Sequence, residues 1–274
     1  MPKSSPTRPT AAAQPRVRRG YFECRYGQLH VHNAIPSGGG FDEGTPLLFL
    51  HHIPHSGRTF TPFLAIVGAR RSVFAPDLPG FGDSDPPPPR AGVAEHAAGI
   101  GDFLDTMRLR QIDLLGHGFG TLVAAELAAT RSGQVRRLVL VSPPLGRDAV
   151  EAEPPAPAAD GSHVLEEWRR AVAYRGTGAP PELVATALAD RLRNGAQAAA
   201  AAAAARGYAL RPRLAQLSAP LLVLRLRDEV VANKGQPRDV PARARLVDLP
   251  EHGASLFETA PEAAAQALEA FLRS

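Results

Sequence analysis

The 274-residue chain has little that would staple or anchor it. It contains one cysteine (Cys24), one tryptophan and two methionines. A single cysteine excludes a disulfide framework and a cysteine-rich metal site, and it is compatible with a reducing, cytoplasmic setting. No apolar run approaches the roughly 20 residues a bilayer-spanning helix needs, and the first residues lack the apolar stretch of a secretory signal. Acidic residues are missing from the first 20 positions, which carry Lys3, Arg8, Arg16, Arg18 and Arg19. From a total of +4, those five positive charges leave the rest of the chain at −1. The body has no basic excess for nucleic acid, so neither nucleic acid nor a membrane is an expected partner.

What is present is a large supply of apolar side chains, 44% of the sequence, enough to bury a full core and exclude a disordered chain. The 27 prolines predict some irregular stretches. Residues 1–20 read as a disordered basic tail, with the Arg-rich, acid-poor character also found in transit peptides. Residues 28–35 alternate apolar and polar like a half-buried strand. Short continuous apolar runs at 46–50, 71–75, 111–115 and 134–141 read as strands buried on both faces. Helical patterns stand between them at 61–69, 93–108 and 121–130. Strands alternating with helices predict a mostly parallel α/β sheet flanked by helices. The pattern breaks at a Pro- and Ala-rich stretch, followed by helices at 164–174 and 181–193 and eight alanines at 198–205. It resumes with strands at 220–224 and 245–249 and a closing helix at 261–272. The domain reading is a core of 21–145 and 214–274, interrupted by an inserted helical cap at 146–213.

Gly116-His117-Gly118-Phe119-Gly120 sits between a buried strand and its helix, in the place and spacing of a G-x-S-x-G nucleophile elbow. Here the chain resembles the α/β-hydrolase superfamily, from about Tyr21 to Ser274. His51 to Arg58 resembles the loop that carries half of that family's oxyanion hole. Asp77-Leu78-Pro79-Gly80-Phe81-Gly82 resembles its turn after the next strand. The segments 220–228 and 249–261 resemble those that present its acid and its histidine.

Four departures from the family pattern matter more than the matches. The nucleophile position is Gly118, which has no side chain. In the serine mechanism a hydroxyl attacks and a histidine takes its proton, and losing such a serine costs on the order of 10⁶ in turnover. Counted back from Pro261, the family's Gly-His pair falls on Gly253-Ala254, and His252 is the nearest histidine. Counted forward from Pro220, the acid position falls on Glu229, with Asp228 one residue before it; either can orient a histidine. The oxyanion loop reads His51-His52-Ile53-Pro54-His55, which puts an imidazole, His52, where the family has none.

The resemblance implies that Ile53 and Phe119 keep backbone N–H groups aimed at the former oxyanion site. His252 and His52 are the candidate acid/base residues, with Asp228 as the orienting acid. His117 and Trp168 are candidates for the ligand pocket. The loop histidines have no carboxylate or cysteine close in sequence, so no metal is expected, and no cofactor. The primary reading is a non-hydrolytic enzyme acting on a small, largely apolar, carbonyl-containing ligand by elimination, isomerisation, cyclisation or decarboxylation. The alternatives are a non-catalytic pseudo-hydrolase that binds a ligand or a protein, and an unconventional hydrolase that activates water directly.

Overall fold

In the computed structural model, residues 15–36, 44–145, 154–176, 179–227 and 239–273 are described. Eight strands form one sheet in the order β1-β2-β4-β3-β5-β6-β7-β8. They are β1 (Arg18–Cys24), β2 (Gly27–Ala34), β3 (Leu47–Leu50), β4 (Val73–Pro76), β5 (Ile112–His117), β6 (Val135–Val141), β7 (Leu221–Leu226) and β8 (Arg245–Leu249). Only β2 runs against its neighbours; from β4 to β8 every pairing is parallel. The helices are α1 (Thr61–Val67), α2 (Val93–Thr106), α3 (Phe119–Thr130), α4 (Ser162–Arg175), α5 (Pro181–Gly207), α6 (Leu210–Gln216), α7 (Leu256–Thr259) and α8 (Pro261–Arg273). None is long and apolar enough to cross a membrane.

The continuous apolar strands are explained by cover on both faces. In β3, Leu48 and Leu50 join the core shared with α2, α3 and α6, while Leu47 and Phe49 join the core under α1 and α8. On the second face Phe49, Phe60, Phe63 and Phe257 pack with ring centroids 5.0–5.3 Å apart. Burying each such ring is worth about 1.5–3 kcal/mol. Strand β5, which leads to the elbow, lies between β3 and β6. Its Asp113 is fully buried and accepts hydrogen bonds from Arg71 and Arg136, which compensate the charge.

Two expectations need correction. The basic tail does not extend to residue 20: β1 begins at Arg18, because Arg18–Cys24 pairs along its whole length with β2 and Val17 packs on the core. The patterns at 181–193 and 198–205 are parts of one 27-residue helix, α5. The alanines, the best helix formers, carry it past Gly195, whose cost is about 1 kcal/mol. Helices of the inserted segment also contribute to the core. Ala198, Ala201 and Ala202 of α5 and Leu210 of α6 are buried in the same cluster as α2 and α3. Small side chains let α5 approach closely.

Candidate active site

The turn from β5 to α3 has the geometry of a nucleophile elbow. Gly118 sits at φ 54°, ψ −118°, a backbone conformation that strains any residue with a Cβ. Its N–H donates to the Val141 carbonyl (2.9 Å), and its carbonyl accepts from the Thr121 N–H (3.0 Å). The outer glycines allow close backbone contact: a Cβ on Gly116 would come within 2.3 Å of the Gly120 carbonyl oxygen, and one on Gly120 within 2.2 Å of that of Leu50.

The space beside Gly118 is taken by His52. A Cβ built on Gly118 would lie 2.0 Å from His52 Nδ1 and 2.6 Å from its Cγ. The Phe119 N–H donates to that same Nδ1 at 3.3 Å. Nδ1 is therefore an acceptor, and a neutral ring carries its proton on Nε2. The His52 ring stacks on Tyr174 from α4 (centroids 6.2 Å, 16° between planes) and lies 5.5 Å from His117 and 6.4 Å from His55.

The neighbouring imidazoles are held neutral by burial. His51, His55 and His117 are all within 2% of full burial. Loss of hydration pushes His51 down to about 4 and holds His55 and His117 well below the ordinary histidine range. His51 also ties the oxyanion loop to the turn after β4. Its Nε2 accepts the Leu78 N–H at 2.8 Å, and Nδ1 donates to the His52 carbonyl at 3.1 Å. His52 is only half-buried.

The other sequence candidates scatter. Ile53 is buried directly after His52. His252 lies in the turn after β8, with Nε2 3.7 Å from the exposed Glu251 carboxylate and its backbone bonded to Leu249 and Arg227. Trp168 packs inside the cap against the cluster of Ala171, Val184 and Ala187. Asp228 and Glu229 lie outside the described residues.

Sequence reasoning missed a buried ion pair between Arg175, at the end of α4, and Glu258 in α7. Burial pushes the Glu258 carboxyl up to about 7, with Arg175 pulling the other way. Arg175 follows the Tyr174 that covers His52, so this pair anchors the cap over the elbow. Nothing in either local sequence signals it, because the partners are 83 positions apart.

A fold with β2 alone reversed, an elbow after β5 and a cap before β7 defines an α/β-hydrolase-type protein. The sequence profile of the alpha/beta hydrolase fold matches residues 45–259, and the chain belongs to that family. An epoxide hydrolase 2 of Siraitia grosvenorii is 38% identical over 104 residues, covering 36% of this chain and 32% of that protein. A 2-hydroxymuconate semialdehyde hydrolase of Pseudomonas sp. (strain CF600) is 36% identical over 119 residues, covering 40% of this chain and 38% of the relative. The chain thus aligns with only about a third of the length of these relatives. Among solved structures, the enol-lactonase of Burkholderia xenovorans LB400 superposes with a TM-score of 0.73 at 16% identity, covering 93% of this chain and all of that one. At that identity the likeness shows the fold alone.

Proposed function

We propose that this protein is a non-hydrolytic enzyme of the α/β-hydrolase fold, with His52 as its acid/base group at an elbow that carries no nucleophile. The carrying observation is the His52 imidazole in the space beside Gly118, its Nδ1 on the Phe119 N–H. In this reading a ligand carbonyl oxygen takes over the Phe119 N–H, with the Ile53 N–H as second donor, and frees Nδ1. Nδ1 then removes a proton from the carbon next to the carbonyl. The C–H electron pair becomes the C=C bond of an enolate as the carbonyl π pair moves onto oxygen, where the backbone donors stabilise it. Return of the proton to another carbon gives isomerisation, and loss of a β-substituent gives elimination. Tyr174 and the apolar cap surface suit a small, largely apolar ligand. A cytoplasmic setting fits the single cysteine.

The test is proton exchange. A panel of enolisable ketones and β-keto acids is incubated with the protein in D₂O and followed by ¹H NMR. We expect exchange or conversion of at least one compound, lowered about 10²–10⁴-fold in His52→Ala with the fold intact. Stoichiometric labelling of the wild type by a fluorophosphonate, or brisk aryl-ester hydrolysis, would overturn the reading.

Two specific observations favour the alternatives. The Phe119 N–H is already satisfied by His52, as in a binding module with a closed oxyanion hole. The matched relatives are named as hydrolases, which favours water activated by the same imidazole.

A further inference from the structure

Outside the elbow, His30, His32 and Asp77 form a group of buried side chains close enough to share one ion. Strand alternation puts His30 and His32, two residues apart, on the same face of β2. Beside them runs β4, with His32 level with Ala75 and Val31 level with Pro76. Asp77 follows directly, and its N–H donates to the His30 carbonyl at 2.8 Å, so the pairing continues one residue past the strand. That brings its carboxylate to both rings, whose centroids are 4.7 Å apart. None of the three residues is more than 5% exposed.

The separations suit ligands of one ion. His30 Nδ1 lies 2.9 Å from Asp77 Oδ2, and His32 Nε2 lies 4.0 Å from Oδ1. The second distance is too long for a hydrogen bond. Two donors held about 2.0–2.2 Å from a tetrahedral ion stand about 3.3–3.6 Å apart, a spacing that the two observed distances bracket. The three donor atoms all lie within 4.8 Å of one another. Shifts of less than about 1 Å therefore bring each to bonding distance of a common centre. A hydrogen bond between His30 and Asp77 is enough to fix the turn after β4. It does not account for a second buried imidazole with its Nε2 beside the same carboxylate.

The carboxylate is held in place from behind. Its Oδ1 accepts the Gly57 N–H (2.7 Å), and its Oδ2 accepts the Asp83 N–H (2.9 Å). Ser84 Oγ donates to the Asp77 carbonyl (2.8 Å) and accepts the His30 N–H (2.9 Å), which ties the first donor residue to the third. Outer partners of this kind orient metal ligands. His30 also borders a surface cavity with Tyr21 and Asp83, which offers an ion a way in.

We propose that His30 Nδ1, His32 Nε2 and one Asp77 carboxylate oxygen bind a divalent transition-metal ion of the Zn²⁺ or Co²⁺ type, with water in the fourth position. Two imidazoles and a carboxylate suit these borderline ions; Mg²⁺ and Ca²⁺ take shells of oxygen. In the bound form neutral His30 carries its proton on Nε2, and Nδ1 gives its lone pair to the ion in place of the hydrogen bond to Asp77. The ion clamps β2 to the turn after β4. The site shares no residue with the elbow, and its occupancy does not depend on the His52 chemistry.

The full chain, stripped with a chelator and dialysed, is titrated with Co²⁺, whose visible d–d absorption strengthens in a four-coordinate site. We expect saturation at one Co²⁺ per chain and its displacement by one Zn²⁺. Zn²⁺ at about a hundred times its Kd should raise Tm by about 5–10 °C. His32→Ala weakens Co²⁺ binding at least about a hundredfold and abolishes the rise in Tm. His32→Phe, a ring without a donor atom, gives the same result where alanine impairs folding. His252→Ala leaves both readouts unchanged. Absence of saturable binding, equal binding by wild type and the His32 variants, or loss of binding in His52→Ala instead would overturn the site. Mg²⁺ displacing Co²⁺ at equal concentration would overturn the assignment to a transition metal.

Discussion

Replacing Gly118 by alanine tests whether His52 stands in the nucleophile's place. The new Cβ would lie 2.0 Å from His52 Nδ1, 2.6 Å from Cγ and 2.8 Å from Cε1. No real contact is that short, so the imidazole has to rotate. Rotation forfeits the hydrogen bond from the Phe119 N–H, about 0.5–1.5 kcal/mol net. A displaced, off-rotamer ring adds about 0.5–1.5 kcal/mol. Alanine at φ 54° adds about 1–3 kcal/mol of backbone strain. The total is about 2–6 kcal/mol. At about 2–4 °C per kcal/mol for a domain of this class, Tm falls by roughly 5–20 °C. Urea denaturation and calorimetry of Gly118→Ala, His52→Ala and the double variant separate the terms. With His52 truncated, the steric part vanishes and only backbone strain remains. The double variant should therefore be more stable than the sum of the singles by about 1–3 kcal/mol. Additivity within about 0.5 kcal/mol would refute the steric argument and, with it, the placement of His52.

Two further predictions concern buried polar groups. His96 in α2 is fully buried, has no partner on either ring nitrogen among the described residues and packs its ring 5.4 Å from that of Phe119; burial pushes it down to about 4. A lowered folded pKa means that the unfolded chain takes up the proton first, so stability present above about pH 6.5 is lost as pH falls towards 4. Glu258, raised to about 7, acts in the opposite sense: between about pH 4.5 and 7 the folded state holds its proton, and its contribution grows as pH falls. We expect His96→Leu to be at least as stable as wild type at pH 7.5 and to gain about 2 kcal/mol relative to it at pH 5, read by urea titration at both pH values; an unchanged difference would show that His96 does not titrate in this way. Asp113→Ala should cost about 2–4 kcal/mol, because it strands Arg71 and Arg136 beside the central strand, where their partial exposure softens the loss; a cost below about 1 kcal/mol by the same titration would show that solvent already compensates both.

The sheet was legible because its signal is local. Runs such as Leu47–Leu50 and Ile112–Leu115 need only their own side chains to declare a strand covered on both faces, and Gly116, Gly118 and Gly120 mark a sharp turn by spacing alone. Weak local signals misled. Composition placed Arg18–Gly20 in a tail, although the backbone of β2 holds it as an edge strand. The patterns at 181–193 and 198–205, read separately, belong to one helix that the alanines carry past Gly195.

The α/β architecture, the missing side chain at residue 118 and the extra imidazole at residue 52 can all be read along the linear chain. What the last two mean together emerges only in three dimensions. His52 and Phe119 are 67 positions apart, and no periodicity links them. The meeting of β3 and β5 in the sheet brings their loops to one edge, so the void left by a glycine in one loop is filled by a ring from the other. The same limit explains His252, which lies near the family's histidine register in sequence but faces Glu251. A turn's residue count fixes its length; how the chain is tied through Arg227 to the neighbouring strand fixes where its side chains point.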